Sequence, residues 1–324
     1  MPKKHEPRDA ARPISSPAKD RASSVTNRQL RRILETGVAA DPFAEMQSLF
    51  GAMLPAGRSD AFLSLIHHDM QSIFAGKIRG FRKNTLQYHD WHHTRDVALA
   101  TLRLLHGLHS QGLTLPPEML HLSVACAYFH DAGLLRTTRD SAGPVARHLK
   151  NHEERSIVFS REYLADQGME AELTRHCAPI INSTNLAIEP RQLDFASEST
   201  RLAGYALGTA DILAQMADRY YIERLPILYR EQRQAGIQQH ASPLALMQQT
   251  STFYHQVIEK RLRQGFGNVC GFMRFHFQSR HQLDRDLYME FIDKNMAYLN
   301  CLLRWHQSGK GDLARYLRRR LPQL

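Results

Sequence analysis

Apolar positions recur with a helical period along almost the whole chain. After residue 28 nearly every segment repeats them every three to four residues, and alternating strand-like runs are scarce. Residues 41 to 78 predict two amphipathic helices, broken near Pro55, Ala56 and Gly57. Residues 91 to 109 predict one long helix, centred on VALATLRLLHGL. Pro116 and Pro117 open EMLHLSVACAYFHDAG, a strongly apolar helix over 117 to 131 that Gly133 should stop through a left-handed cap. Further helices are expected at 150–167, 170–183, 198–223, 243–264 and 284–306, with Pro226 interrupting or beginning one more. No strand–helix–strand alternation supports a parallel sheet, so the fold class is all-α.

Composition narrows this picture. The chain has 324 residues, 43% hydrophobic, enough to bury a full core. No run of about 18 apolar residues is available to span a bilayer. The first 27 residues lack the apolar stretch of a secretory signal and read as a flexible basic tail, which places the protein in the cytoplasm. Cys126, Cys177, Cys270 and Cys301 lie far apart without a CxxC pair, which argues against a disulfide framework or a thiolate zinc site. The formal charge is +10, part of it on Lys3, Lys4, Arg8 and Arg12 and on Arg315, Arg318, Arg319 and Arg320. Basic tails of this kind suit nucleic acid, and they are equally common as solvated extensions. A positive surface favours a phosphorylated small substrate just as well.

Three places interrupt the apolar pattern with residues that do chemistry. In YHDWHHTRDV, His89, His93 and Asp96 fall at i, i+4 and i+7, on one face if the helix includes them all. They either supply a ligand and an acid to one cleft or form a solvated helix start capped by Asp90 or Thr94. His130 and Asp131 follow VACAYF, where an uncompensated charge beside a core is costly. A divalent ion removes that cost; an exposed helix end suits His but not Asp. Asp211 sits among Ala, Ile and Leu with Gln215 and Asp218 on its face, either as a hydrogen-bonded core residue or as a further ligand. RFHFQSRHQ, with Arg274, His276, Arg280 and His281, reads as a loop with incidental histidines or as the lining of a phosphate pocket.

Together these residues resemble the HD superfamily of metal-dependent phosphohydrolases: a His, a His-Asp pair and a later Asp, all on helices. YHDWHH is similar to the YHNxxH element of class I cyclic-nucleotide phosphodiesterases, with Asp90 where Asn is usual; HDAGLL departs from their HDxDH extension. NHEERS, PIINSTNL and LGTADILAQMADRYYIERLPILYREQ extend the resemblance to bacterial HD-domain proteins over about residues 85 to 235. The resemblance implies an HD-type helical bundle over 85–240, with N-terminal helices at 28–84, C-terminal helices at 241–308 and a basic tail at 309–324.

It also implies one or two divalent ions (Mn, Mg, Zn, Co or Fe) on His93, His130, Asp131 and Asp211. His152 or Glu153 would serve a second ion or lie at a plain helix start. His89 and Asp131 take the catalytic roles, and Arg136 and Gln215 are candidates for holding substrate. The expected reaction is hydrolysis of a phosphoester in a nucleotide or cyclic nucleotide. A nucleotide-sensing module without turnover and an HD-type di-iron oxygenase are the alternatives. The flanking helices extend the core, cover the cleft or form a homodimer face.

Overall fold

A computed structural model describes residues 26–35, 41–55, 61–141 and 143–309, with Leu313 and Leu317. The N-terminal tail, apart from its last two residues, and nearly all of the C-terminal tail lie outside the described residues, and with them the nucleic-acid reading those tails carry. Among the described residues the structure is 71% helical, with 13 α-helices and no strand. In chain order they are α1 (Asn27–Glu35), α2 (Pro42–Met53), α3 (Phe62–Phe74), α4 (Trp91–Ser110), α5 (Pro117–Phe129), α6 (His152–Asp166), α7 (Ala171–Thr174) and α8 (Cys177–Asn182). There follow α9 (Glu198–Ala217), α10 (Tyr221–Gln234), α11 (Pro243–Phe253), α12 (Met273–His281) and α13 (Leu287–Gln307). No helix among the described residues is long and apolar enough to cross a membrane.

The starts are set by capping side chains. Asp41, Asp90, Ser197, Ser242 and Asp286 each accept a backbone N–H from the first turn of α2, α4, α9, α11 and α13. Several expected boundaries shift. The helix predicted over 170–183 is two short pieces, α7 and α8, and the one over 198–223 ends at Ala217, where Asp218 leaves helical geometry. Beyond Phe253 the chain winds on in π-helical turns at Tyr254–Ile258 and Arg261–Gly265. Pro226 lies inside α10 rather than at its edge. RFHFQSRHQ is a helix, not a loop, because Met273, His276 and Phe277 repeat at helical spacing and are buried together.

One continuous core runs from Leu30 to Leu313 and joins the N- and C-terminal helices to the central ones. α4 is its axis, buried from Val97 to Leu108 without a break, and it packs along α9 with α2, α5 and α12 on its other sides. A helix surrounded in this way needs apolar residues all round, as VALATLRLLHGL provides. Arg103 is the exception. Its guanidinium is fully buried, donates to both Glu45 oxygens at 2.8 Å, and also donates to Tyr288 Oη and the carbonyls of Ile33 and Leu34. One side chain thereby ties α1, α2, α4 and α13.

Three buried histidines stay neutral. Burial, aided by neighbouring positive groups, pushes His67 and His106 down to about 4 and His276 further below its ordinary 6.5. Above pH 6.5 both folded and unfolded chains leave these imidazoles neutral, so they cost nothing. Below 6.5 the unfolded chain gains protons that the folded chain refuses, and stability falls from there toward pH 4, by roughly 1–3 kcal/mol for each imidazole. Urea midpoints at pH 7 and pH 4.5 measure this. His276→Met should shrink the difference between them, and an unchanged difference would show that His276 adds nothing to it.

Candidate metal centre

Asp90 fixes the start of α4 in two directions. Its Oδ1 accepts the His93 backbone N–H at 2.8 Å, and its Oδ2 accepts from Arg224 of α10 at 2.7 Å. The first helical turn, and His93 with it, is therefore anchored to a neighbouring helix. His130 caps the end of α5 and turns inward. Its Nδ1–H donates to the Ala127 carbonyl at 2.9 Å, which leaves Nε2 as a lone-pair donor. Asp211 comes from the middle of α9.

These three segments converge. His93 Nε2 stands 3.4 Å from His130 Nε2, 3.5 Å from Asp131 Oδ2 and 3.3 Å from Asp211 Oδ1. His130 Nε2 is 3.4 Å from Asp131 Oδ2 and 3.8 Å from Asp211 Oδ1. Donors bound at about 2.0–2.2 Å to one ion sit roughly 3–3.5 Å from each other, so these spacings suit a shared cation. Asp131 Oδ2 is buried and has no hydrogen-bond partner. A buried carboxylate oxygen left in this state carries a large desolvation cost. The His93, His130 and Asp131 group is thus able to hold a metal ion.

Electrostatics agree with the geometry. Burial alone would lower the His130 pKa, yet the adjacent Asp131 carboxylate outweighs it and pushes the imidazole up to about 9. Burial would raise Asp131 and Asp211, but the surrounding histidines hold both below the usual carboxylate range. The pocket attracts positive charge. A second group of possible donors, Glu45, His276 and His281, also clusters within 4.8 Å. There Arg103 already takes both Glu45 oxygens and fills the role of the cation.

The surroundings hold the quartet in place. Gln215 donates Nε2 to Asp211 Oδ1 and accepts the Tyr88 hydroxyl on Oε1, both at 2.8 Å. Gln215 lines the cavity, and its amide is taken up by positioning Asp211. His152 Nδ1 donates to the Leu149 carbonyl at 3.0 Å, and its Nε2 lies 3.6 Å from Asp131 Oδ1, the oxygen turned away from His93. Glu153 lies beside it, with Oε2 at 3.1 Å from His152 Nδ1. The turn after His130 is bolted to α6: Ser156 Oγ donates to the His130 carbonyl at 2.6 Å and accepts the Gly133 N–H at 2.8 Å. Gly133 has no positive φ and is not a left-handed cap. It is needed because a Cβ there would stand 2.0 Å from the His152 carbonyl oxygen.

Two expectations change. His89 precedes α4, which starts at Trp91, so His89, His93 and Asp96 do not share a helix face. His89 reaches the cavity from the preceding turn, and Asp96 faces elsewhere, bonded to Arg95. Arg136 does not line the cavity; it donates to the carbonyls of Ser141 and Gly143 in its own loop. The residue that sequence reading missed is Glu231. Its Oε2 accepts from His89 Nδ1 at 2.8 Å, while Oε1 takes the backbone N–H groups of Gln87 and Tyr88 at 2.7 and 2.8 Å. Burial lowers the His89 pKa, and the Glu231 bond together with the negative charges of Asp131, Glu231 and Asp211 more than offsets it, so the net shift is upward.

A cavity of about 610 Å³ opens above these residues, lined by His89, His93, His130, Asp131, His152 and Asp211 at its floor. No family model, curated protein or solved structure matches the chain. Function must therefore be argued from the site itself.

Proposed function

We propose that this chain is a metal-dependent phosphohydrolase of the HD type, with a divalent ion held by His93, His130, Asp131 and Asp211. The observation that carries the reading is the orphaned Asp131 oxygen 3.4–3.5 Å from two imidazoles, which in turn stand 3.3–3.8 Å from a second carboxylate, Asp211. Mixed imidazole and carboxylate donors favour Mn, Fe, Co or Zn over Mg. When bound, the ion supplies an activated water and a sink for phosphoryl charge.

The protein supplies the remaining chemistry. Glu231 fixes His89 by Nδ1 and favours its protonated form, in which Nε2–H would serve the leaving oxygen across the cavity. Gln215 keeps Asp211 turned inward, and the apolar walls limit water. His89→Asn, which retains a donor for Glu231, should keep the ion and slow hydrolysis by roughly 10²–10⁴-fold. Ion content by atomic emission and turnover of bis(p-nitrophenyl) phosphate read the two effects separately. Loss of the ion in that variant would refute the division of roles.

The position of His152 against the second oxygen of Asp131 supports a two-ion variant of the site, and with it the oxygenase alternative. Two irons per chain and oxygen consumption without phosphate release would favour that alternative and reject hydrolysis.

A further inference from the structure

The protein is strongly basic, yet the cationic group facing the cavity above the site, His89, is already paired with Glu231 at 2.8 Å. Among the described residues, no lysine or arginine lines it. The arginines close by are committed elsewhere. Arg224 is bound to Asp90 at 2.7 Å and Arg155 to the Gly133 carbonyl at 2.7 Å. Arg261 is bound to the carbonyls of Ile188 and Asn185 at 2.9 and 2.8 Å. The cavity wall does contain three carboxylates, Asp131, Glu153 and Asp211. One divalent ion leaves that set net negative.

The remainder of the wall mixes aliphatic side chains, among them Met216, Leu228, Ile237 and Leu246, with uncharged polar ones such as Gln232, Gln239 and Gln249. At the mouth Leu186 and Phe253 line the opening while remaining 51% and 43% exposed. Large apolar side chains left in water around a cavity are suited to a ligand that covers them.

Resting on the phosphoester reading above, we infer that the substrate is a singly charged phosphodiester with a large apolar substituent, rather than a phosphate monoester or a nucleoside triphosphate. A diester presents one negative charge, the fewest an ionised phosphate ester can bring to that net-negative set. Each further charge on a monoester or triphosphate would meet carboxylates and uncharged side chains with no lysine or arginine to answer it, at a cost that grows in a low-dielectric pocket. Hydrolysis fits the same logic. Water forms a new bond from its oxygen to phosphorus, the P–O bond to the leaving oxygen breaks, and that oxygen takes a proton. The products are an alcohol and a monoester. At neutral pH the monoester loses a further proton, becomes doubly charged, and is held less well than the diester, which favours its release.

The test uses the full chain loaded with Mn²⁺ and four compounds with reactive phosphorus: octyl p-nitrophenyl phosphate, methyl p-nitrophenyl phosphate, p-nitrophenyl phosphate and ATP. With each rate taken relative to the reaction without protein, kcat/KM should rank them in that order. The octyl diester should exceed the methyl diester by at least about tenfold, as expected for apolar contacts of this size. Phe253→Lys, at an exposed position, should erase most of the octyl advantage. Turnover in which the monoester or ATP equals the diesters, or in which the octyl group gives no advantage, overturns this inference and leaves the hydrolase reading standing. No turnover of any compound by ion-loaded protein overturns both.

Discussion

Asp211→Ala is expected to release the ion and remove hydrolysis in the same step. Asp211 Oδ1 lies 3.3 Å from His93 Nε2 and 3.8 Å from His130 Nε2, and Gln215 holds it there. Alanine removes a charged donor and leaves the imidazoles with a single carboxylate for a partner. On the proposed reading turnover should fall by on the order of 10³-fold or more, since the ion would supply both the activated water and the charge sink. Gln215→Ala gives a graded contrast. It leaves all four donors and loses only the tether, so ion affinity should fall roughly 10–100-fold. Titrating ion into apo protein and following dye release measures both variants. An Asp211→Ala protein that keeps its ion and its rate removes Asp211 from the ligand set.

Arg103→Met should be the most damaging single change to stability. The guanidinium is wholly buried and is the partner of both Glu45 oxygens, so methionine leaves a carboxylate without its cation in the core. Breaking one side of a buried ion pair costs about 3–5 kcal/mol, a large share of the stability of a whole domain. Adding Glu45→Met should restore much of the loss, because a pair of apolar side chains needs no compensation. Urea unfolding of the two variants decides it. Equal losses in the single and double variants would mean that the carboxylate is not what makes the single change costly.

The convergence of His93, His130 and Asp131, with Asp211 beside them, was legible because these residues sit where their neighbours do not belong. Asp131 follows VACAYF, and Asp211 follows an alanine and precedes Ile212 and Leu213; each interrupts an apolar helix with a charge that burial makes costly. The all-α class was legible for a similar reason, since α4 and α5 are apolar over whole turns. Glu231 was not visible, because in ILYREQ a glutamate between Arg230 and Gln232 looks like any solvated helix face. Only the packing of α10 against the chain before α4 buries it beside His89. Arg103 escaped in the opposite sense: within TLRLL one arginine reads as a side chain that reaches out to water, and nothing local signals Glu45. The i, i+4, i+7 pattern of His89, His93 and Asp96 misled because spacing alone does not say where a helix begins. Asp90 starts it one residue after His89. Arg136 had chemistry suited to phosphate, but the loop carbonyls of Ser141 and Gly143 were nearer than any substrate.

The absent side chain at Gly133 has a reach beyond its own turn. With only 2.0 Å between a would-be Cβ and the His152 carbonyl oxygen, α6 is seated as closely as backbone allows. His152 and Glu153 ride on that helix, so their distance from Asp131 is gauged by hydrogen alone. An alanine at 133 would lever the start of α6 outward and widen the gap on the far side of Asp131. His93 and Asp211, which hang from α4 and α9, would keep their places, whereas His130 is tied to α6 through Ser156. One methyl group is thus enough to change the spacing across the floor of the cavity.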